Sequence, residues 1–215
     1  MRFVGLRSIL SRMEYECGRF NEHELQRMSA RDLIRSVGGW NEGHFVFRTG
    51  EHGNGYVDKM GFLRYPEIME EIGRRLAKQF SDPSLSIDVV VGPSIIGAII
   101  ACSTASHLRI PYTVTYRGDM DQQIHFHRGF VPEARTRILF VDDFVFSGRD
   151  LTDNVAFMLN QGIYVVGASV IGQRHEIVLP VPIRSLLTLD FQRSLAEDCA
   201  MCHSGIPITA MNIRE

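Results

Sequence analysis

Between positions 87 and 171 one pattern occurs twice: a short unbroken apolar run, a turn signal, a helical stretch, then another apolar run. "IDVVVG" leads into "SIIGAIIACSTASHL" and "PYTVTY"; "RILFVDD" leads into a helical span over 150–161, closed by Gly162, and then "IYVVGASVI". Runs that are apolar at every residue suit strands buried on both faces, and strands separated by helices return parallel to one another. The pattern therefore predicts an α/β fold with a central, mainly parallel sheet flanked by helices. "SLLTLDF" supplies one more strand near the C-terminal end.

The flanking segments read differently. Over 66–80, Ile68, Ile72, Leu76 and Phe80 share one helical face, and Pro66 sits in the first turn, where its missing N–H costs nothing. In "GGWNEGHFVFRTGEHGNGYVDK", Phe45 and Phe47 alternate like a strand, a glycine-rich turn spans 50–55, and Tyr56 and Val57 begin the return strand of a hairpin. Trp40 before it is a packing anchor. Residues 1–37 read as an N-terminal helical extension, with helices at 9–17 and 22–37. Residues 38–215 read as the main domain, with a small hood built from 38–60 and the tail 192–215.

Composition excludes several function classes. A chain of 215 residues can bury one substantial core, and a net charge of −2 with interspersed signs offers neither a basic nucleic-acid stripe nor a polybasic membrane patch. Gly92, Pro93 and Gly97 break the most apolar stretch short of a membrane span. The first residues lack a signal-peptide core and cleavage site, so the expected setting is cytoplasmic. Cysteines at 17, 102, 199 and 202 are too sparse for a disulfide scaffold. Cys102 reads as buried filler. Cys199 and Cys202, beside His203, have half the spacing of a zinc site, but no second such pair exists. A zinc site would have to recruit Cys17, distant histidines or another subunit, so the pair is read as redox-active or simply packed, and no metal ligand is assigned.

Asp142 and Asp143 end an apolar strand, and ligands of parallel sheets bind beyond the carboxyl ends of strands, where helix N-termini point. Adjacent carboxylates repel unless hydroxyls or a cation occupy the space before them. The following loop, 144–149, offers backbone N–H groups, the Ser147 hydroxyl and the close approach that Gly148 permits. Diol and phosphate together describe a ribose 5-phosphate. The plainer alternative is a helix-capping acid beside a solvated one.

"ILFVDDFVFSGRDL" resembles the phosphoribosyl pyrophosphate signature of the type I phosphoribosyltransferases. "GHFVFRTGEHGNGYVDK" is similar to the hood hairpin of the orotate branch, "VVVGPSIIGAII" to its pyrophosphate loop and "DCAMCHSGIPI" to one form of its tail, so the resemblance runs from about 38 to 208. It implies magnesium-dependent transfer of ribose 5-phosphate from phosphoribosyl pyrophosphate to orotate, with Mg2+ carried by the donor. It assigns Asp142 and Asp143 to the ribose hydroxyls. Phe146, Ser147, Gly148, Arg149 and Asp150 fall to the 5-phosphate, and Gly92, Pro93, Ser94 and Ile95 to the pyrophosphate. Lys59 falls to a phosphate, or is simply an exposed strand-end lysine. Arg174 falls to the orotate carboxylate, or to a surface ion pair with Glu176. The segment "RGDMDQQIHFHRGF" matches a catalytic loop that closes over the partner's site in a homodimer; Arg117, His125, His127 and Arg128 would be its donors, or the histidines would be exposed polar residues on a hairpin.

The chain also departs from that pattern. Phe146 replaces a small hydroxyl residue, Arg149 stands where glycine or a hydroxyl residue is usual, and Asp150 puts an acid at the helix start. Facing a phosphate, Asp150 would repel it; as an N-cap it would occupy the N–H groups the phosphate needs; pairing with Arg149 is an escape. The loop lacks lysines and carries Asp119 and Asp121. A second reading is therefore a phosphoribosyltransferase-like protein that binds a nucleotide or phosphoribosyl ligand without turnover.

Overall fold

The computed structural model describes residues 20–209, so the helix expected at 9–17 and Cys17 lie outside the described residues. The helical span expected at 22–37 is two helices, α1 (Glu22–Arg27) and α2 (Ala30–Ser36). Ser29 divides them: its side chain accepts the Asp32 N–H and starts a new helix.

A hairpin follows, β1 (Trp40–Val46) and β2 (His52–Val57), then α3 (Lys59–Leu63) and α4 (Pro66–Gln79). Next come β3 (Val89–Pro93), α5 (Ser94–Leu108), β4 (Tyr112–Arg117), β5 (Ile124–Phe126) and β6 (Arg137–Val145). The chain continues through α6 (Arg149–Asn160), β7 (Tyr164–Gln173), β8 (Ile183–Thr188), β9 (Arg193–Ser194) and α7 (Ala200–His203).

The central sheet has six strands in the order β5-β4-β3-β6-β7-β8. All its pairings are parallel except that of β5 with β4 at one edge. Alternate residues of one strand enter opposite cores. On β3, Val90 packs with Ile68, Ile72 and Leu76 of α4 and Ile100 of α5, while Val89 and Val91 pack with Leu151, Val155 and Met158 of α6. On β6, Leu139 and Val141 face the first group and Ile138 and Phe140 the second. Each such fully buried side chain contributes about 1.5–3 kcal/mol, which is why the unbroken apolar runs had to become interior strands.

A separate sheet of three strands, β1-β2-β9, is antiparallel throughout. The predicted glycine-rich turn is shorter than expected: β2 already begins at His52, and Gly53 and Gly55 lie within it. A Cβ on Gly55 would stand 2.2 Å from the Phe191 ring, so these glycines serve close packing, not the turn. Trp40 is the expected anchor, buried with its ring centroid 4.4 Å from that of Phe191. Cys102, expected inside, is exposed on α5. The small-residue helix buries Ile100, Ala101, Thr104 and Ala105 on its other side, so an all-apolar stretch concealed which residues faced out.

Candidate active site

The acids lie within β6, not beyond it, because the strand continues through Phe144 and Val145 to pair with β7. Asp142 and Asp143 line a cleft of about 380 Å³ together with Lys59, Pro93, Ser94, Ser147, Gly148 and Asp150. Its far side is formed by Thr115, Tyr116, Arg117 and Asn154.

Asp143 is buried, and each of its carboxylate oxygens has one partner. Its Oδ2 lies 2.7 Å from Lys59 Nζ, and its Oδ1 accepts the N–H of Phe144. Lys59 stands at the start of α3, whose N-cap Asp58 accepts the Gly61 N–H at 2.9 Å. Asp142 accepts the Asp143 N–H at 2.8 Å. Burial, and next the neighbouring Asp143 carboxylate, push the Asp142 carboxyl up to about 7.

Beyond the acids, Gly148 is the N-cap of α6 with φ +79°, a conformation that favours glycine, and a Cβ there would also meet Ile177 at 2.9 Å. Gly148 has no side chain to cap this helix, and Asp150 does not take the N–H groups that an anion would use; the Ser147 hydroxyl accepts the Arg149 N–H at a long 3.4 Å. Its charge is met by Arg117, whose Nη2 lies 3.4 Å from Asp150 and 2.9 Å from Asp153. The escape by pairing with Arg149 is therefore not the one taken: Arg149 is exposed and does not line the cleft. The partner is supplied by β4, three-dimensionally adjacent and remote in sequence.

At the other wall, β3 runs directly into α5 without a loop. A Cβ on Gly92 would stand 2.1 Å from the Gly97 carbonyl oxygen, so only glycine allows the junction to be this tight. Ser94 pays for it with φ +61°, a strained conformation of the kind that collects at binding sites. Pro93 and Ser94 line the cleft; Ile95 does not, and lines instead an adjoining groove along α5 that shares Ser94, Tyr116 and Arg117 with the cleft.

A smaller cavity of about 280 Å³ opens under the three-stranded sheet, lined by Phe47, Tyr56, Lys59, Phe146, Arg174 and Arg193 among others. Lys59 and Phe146 border both cavities. Val145 pairs with Gln173 across β6 and β7, so the next residues, Phe146 and Arg174, emerge side by side. Arg174 Nη2 donates to the Phe191 carbonyl at 2.9 Å, which orients the guanidinium; the ion pair with Glu176 does not form.

Among the expected loop donors, Arg117 lines the main cleft, His127 lines only the α5 groove, and neither His125 nor Arg128 lines either. The loop holds a hairpin in which β5 pairs with β4, and His125 Nε2 lies 2.8 Å from Asp121. Sequence reasoning missed Arg193, Thr115 and Asn154. Arg193 had a faint signal as a cation after the last strand; Thr115 and Asn154, bonded to each other at 2.7 Å inside the cleft wall, had none.

Elsewhere, His44, His52, Cys199 and Cys202 gather where the hood meets the C-terminal segment. The Cys199 thiol is drawn down to about 6, chiefly by the N–H of Cys202.

No family model matches the chain. The orotate phosphoribosyltransferase of Caldanaerobacter subterraneus subsp. tengcongensis is 30% identical over 177 residues, 81% of this chain and 91% of that protein. The crystal structure of orotate phosphoribosyltransferase from Aeropyrum pernix superposes with a TM-score of 0.62 at 21% identity, covering 75% of this chain and 94% of that one. Adenine phosphoribosyltransferase from Rhodothermus marinus gives 0.58 at 18% identity, covering 74% and 98%. The two structures establish the type I phosphoribosyltransferase fold, common to both bases.

Proposed function

The chain belongs to the orotate phosphoribosyltransferase family, and from that premise we propose that it transfers ribose 5-phosphate from phosphoribosyl pyrophosphate to orotate, forming orotidine 5-phosphate and pyrophosphate in pyrimidine nucleotide synthesis. The observation that carries the reading is the pair of joined cavities: a cleft with the two acids of β6 and the N-terminus of α6, opening past Lys59 and Phe146 into a pocket with Arg174 and Arg193.

The ribose hydroxyls fit the Asp142 and Asp143 carboxylates as acceptors. The 5-phosphate fits the turn 146–150, where the N–H groups opening α6 and the positive end of its dipole favour an anion. The pyrophosphate fits the Pro93–Ser94 junction. In the reaction the bond from ribose C1 to pyrophosphate oxygen breaks with its electron pair leaving on pyrophosphate, N1 of orotate bonds to C1, and the N1 proton is released. Asp142 and Asp143 lie where positive charge develops on the ribose and stabilise it. The orotate carboxylate fits a bidentate guanidinium at Arg174, with Phe146 offering a face to the ring. Phe146 thus exchanges a hydroxyl for a stacking surface.

Carboxylate oxygens on the cleft floor are hard donors that suit magnesium, and Asp142, the acid without a cationic partner, is the side chain best able to hold it. When bound with the donor it would neutralise charge on the pyrophosphate. We also assign the working unit as a homodimer in a reducing cytoplasm. An exposed apolar groove along α5, lined by Ile95, Ile99, Tyr112 and Tyr116, continues to the β4–β5 hairpin, so a second copy seated there would bring each hairpin toward the other's cleft.

The experiment is loss of orotate ultraviolet absorbance with phosphoribosyl pyrophosphate and magnesium, with Asp143→Asn and Arg174→Ala as controls. Turnover abolished in the first and crippled in the second supports the transferase. Tight binding of the donor with no turnover in the wild type would favour the ligand-binding alternative.

A further inference from the structure

Four side chains that the proposed reaction leaves unused meet between β1, β2 and the C-terminal segment. The ring nitrogens of His44 and His52 and the sulfurs of Cys199 and Cys202 all lie within 4.8 Å of one another. Cys199 Sγ and Cys202 Sγ stand 3.5 Å and 3.6 Å from His44 Nε2, Cys202 Sγ is 3.2 Å from His52 Nδ1, and the two nitrogens are 2.9 Å apart.

Bonds of about 2.3 Å to sulfur and about 2.05 Å to nitrogen give a tetrahedral zinc site edges of about 3.5 Å between sulfur and nitrogen and about 3.3 Å between nitrogens. The observed separations from His44 to the sulfurs match, and the other two need to open by only about 0.4 Å. We propose that His44, His52, Cys199 and Cys202 form a structural zinc site that ties the C-terminal segment to the hood hairpin.

The tautomer supports this. His44 Nδ1 lies 2.7 Å from the Ile206 carbonyl oxygen, which only accepts, so Nδ1 carries the proton and Nε2 turns its lone pair toward the sulfurs. A histidine that donates its outer N–H to a backbone carbonyl is the usual support of a zinc ligand. Both histidines and Cys199 are buried, and thiolate with imidazole is a donor set that zinc prefers. Cys-x-x-Cys supplies half the site, and the hairpin supplies the other half from opposite strands, near the point where Val46 pairs with His52. Four protein ligands leave no open position, so the role is structural.

The consequence is mechanical. His52 also pairs with Ser194 of β9, and Arg193 beside it lines the hood pocket. Zinc would hold β9, and with it Arg193, in register on the hood hairpin from outside the chemistry.

The test is elemental analysis of the full chain, expressed with added zinc and purified without chelator or a histidine tag. About one zinc per chain is expected, retained in Cys17→Ser and Cys102→Ser and lost in Cys202→Ser and His52→Ala. The wild type provides a reading independent of how well those variants fold. Chelation should lower its melting temperature, zinc but not magnesium should restore it, and cobalt in place of zinc should give the absorption of a tetrahedral sulfur and nitrogen site. Wild-type protein with less than about a tenth of a zinc per chain and no such cobalt spectrum overturns the proposal. So does zinc that persists in both ligand variants, or a Cys199–Cys202 disulfide in the metal-free protein as purified.

Discussion

Lys59 Nζ lies 2.7 Å from Asp143 Oδ2, joining the start of α3, just beyond the hood hairpin, to the acid strand of the central sheet. The lysine also borders both cavities, so this contact couples the ribose site to the base site.

Removing the lysine should therefore damage the acid as well as any phosphate contact. Lys59→Met is expected to lower kcat/KM about 10²-fold, the scale of losing one preorganised electrostatic partner. A double-mutant cycle with Asp143→Asn should show a coupling of about 1–3 kcal/mol. Additive losses would mean that Lys59 acts on the ligand alone.

Asp142 predicts the pH profile. With its carboxyl at about 7, it is ionised above that pH and protonated below. Only the carboxylate accepts hydrogen bonds from both hydroxyls of a diol, so donor affinity should rise as pH increases through 7. In kcat/KM for phosphoribosyl pyrophosphate this is an acid limb of up to about tenfold per pH unit. Asp142→Asn should lower the plateau and flatten the limb; a limb unchanged in that variant would assign it to the substrate's own phosphate.

Arg174 should govern the base. Arg174→Lys keeps the charge but loses the fork that matches a carboxylate, and a charged hydrogen bond is worth about 1.5–3 kcal/mol. KM for orotate is expected to rise about 10-fold to 100-fold, with KM for phosphoribosyl pyrophosphate nearly constant. An equal rise in both would place Arg174 in fold support through Phe191.

Away from the site, Glu71 is almost fully buried between Arg74 and Arg75, each at 2.6 Å. Arg75 also donates to the carbonyls of Leu25 and Met28, clamping the N-terminal helices onto α4. Burial alone would raise the Glu71 pKa, but hydrogen bonds from Arg74 and Arg75 outweigh it and hold the group below its ordinary value. A depressed folded-state pKa adds stability that is present above the unfolded value near 4.5 and lost as pH falls through the folded one. Acid denaturation monitored by circular dichroism should show this contribution disappearing below about pH 4.5. Glu71→Ala should cost about 3 kcal/mol at neutral pH by stranding the arginines, and its stability should depend less on pH in the acid range.

Much of the site was legible because its main elements are local. The strand, acid pair, small-residue turn and helix start occupy consecutive positions, and backbone geometry alone brings their groups to one sheet edge. The twofold alternation of apolar runs and helices determined the layers, since a strand apolar at every residue has no stable place except between two covered faces.

Tertiary structure decided the pairings between remote segments. Arg117 reaches Asp150 because β4 returns two strands from β6; Lys59 reaches Asp143 because α3 follows the hood hairpin to the sheet edge; the histidines of that hairpin meet a cysteine pair about 150 residues away. None of these could be read from spacing. Chain order records which residues are neighbours along the backbone, whereas partners for charges and lone pairs are chosen by how elements pack, and packing is settled by burial of side chains far from the groups themselves.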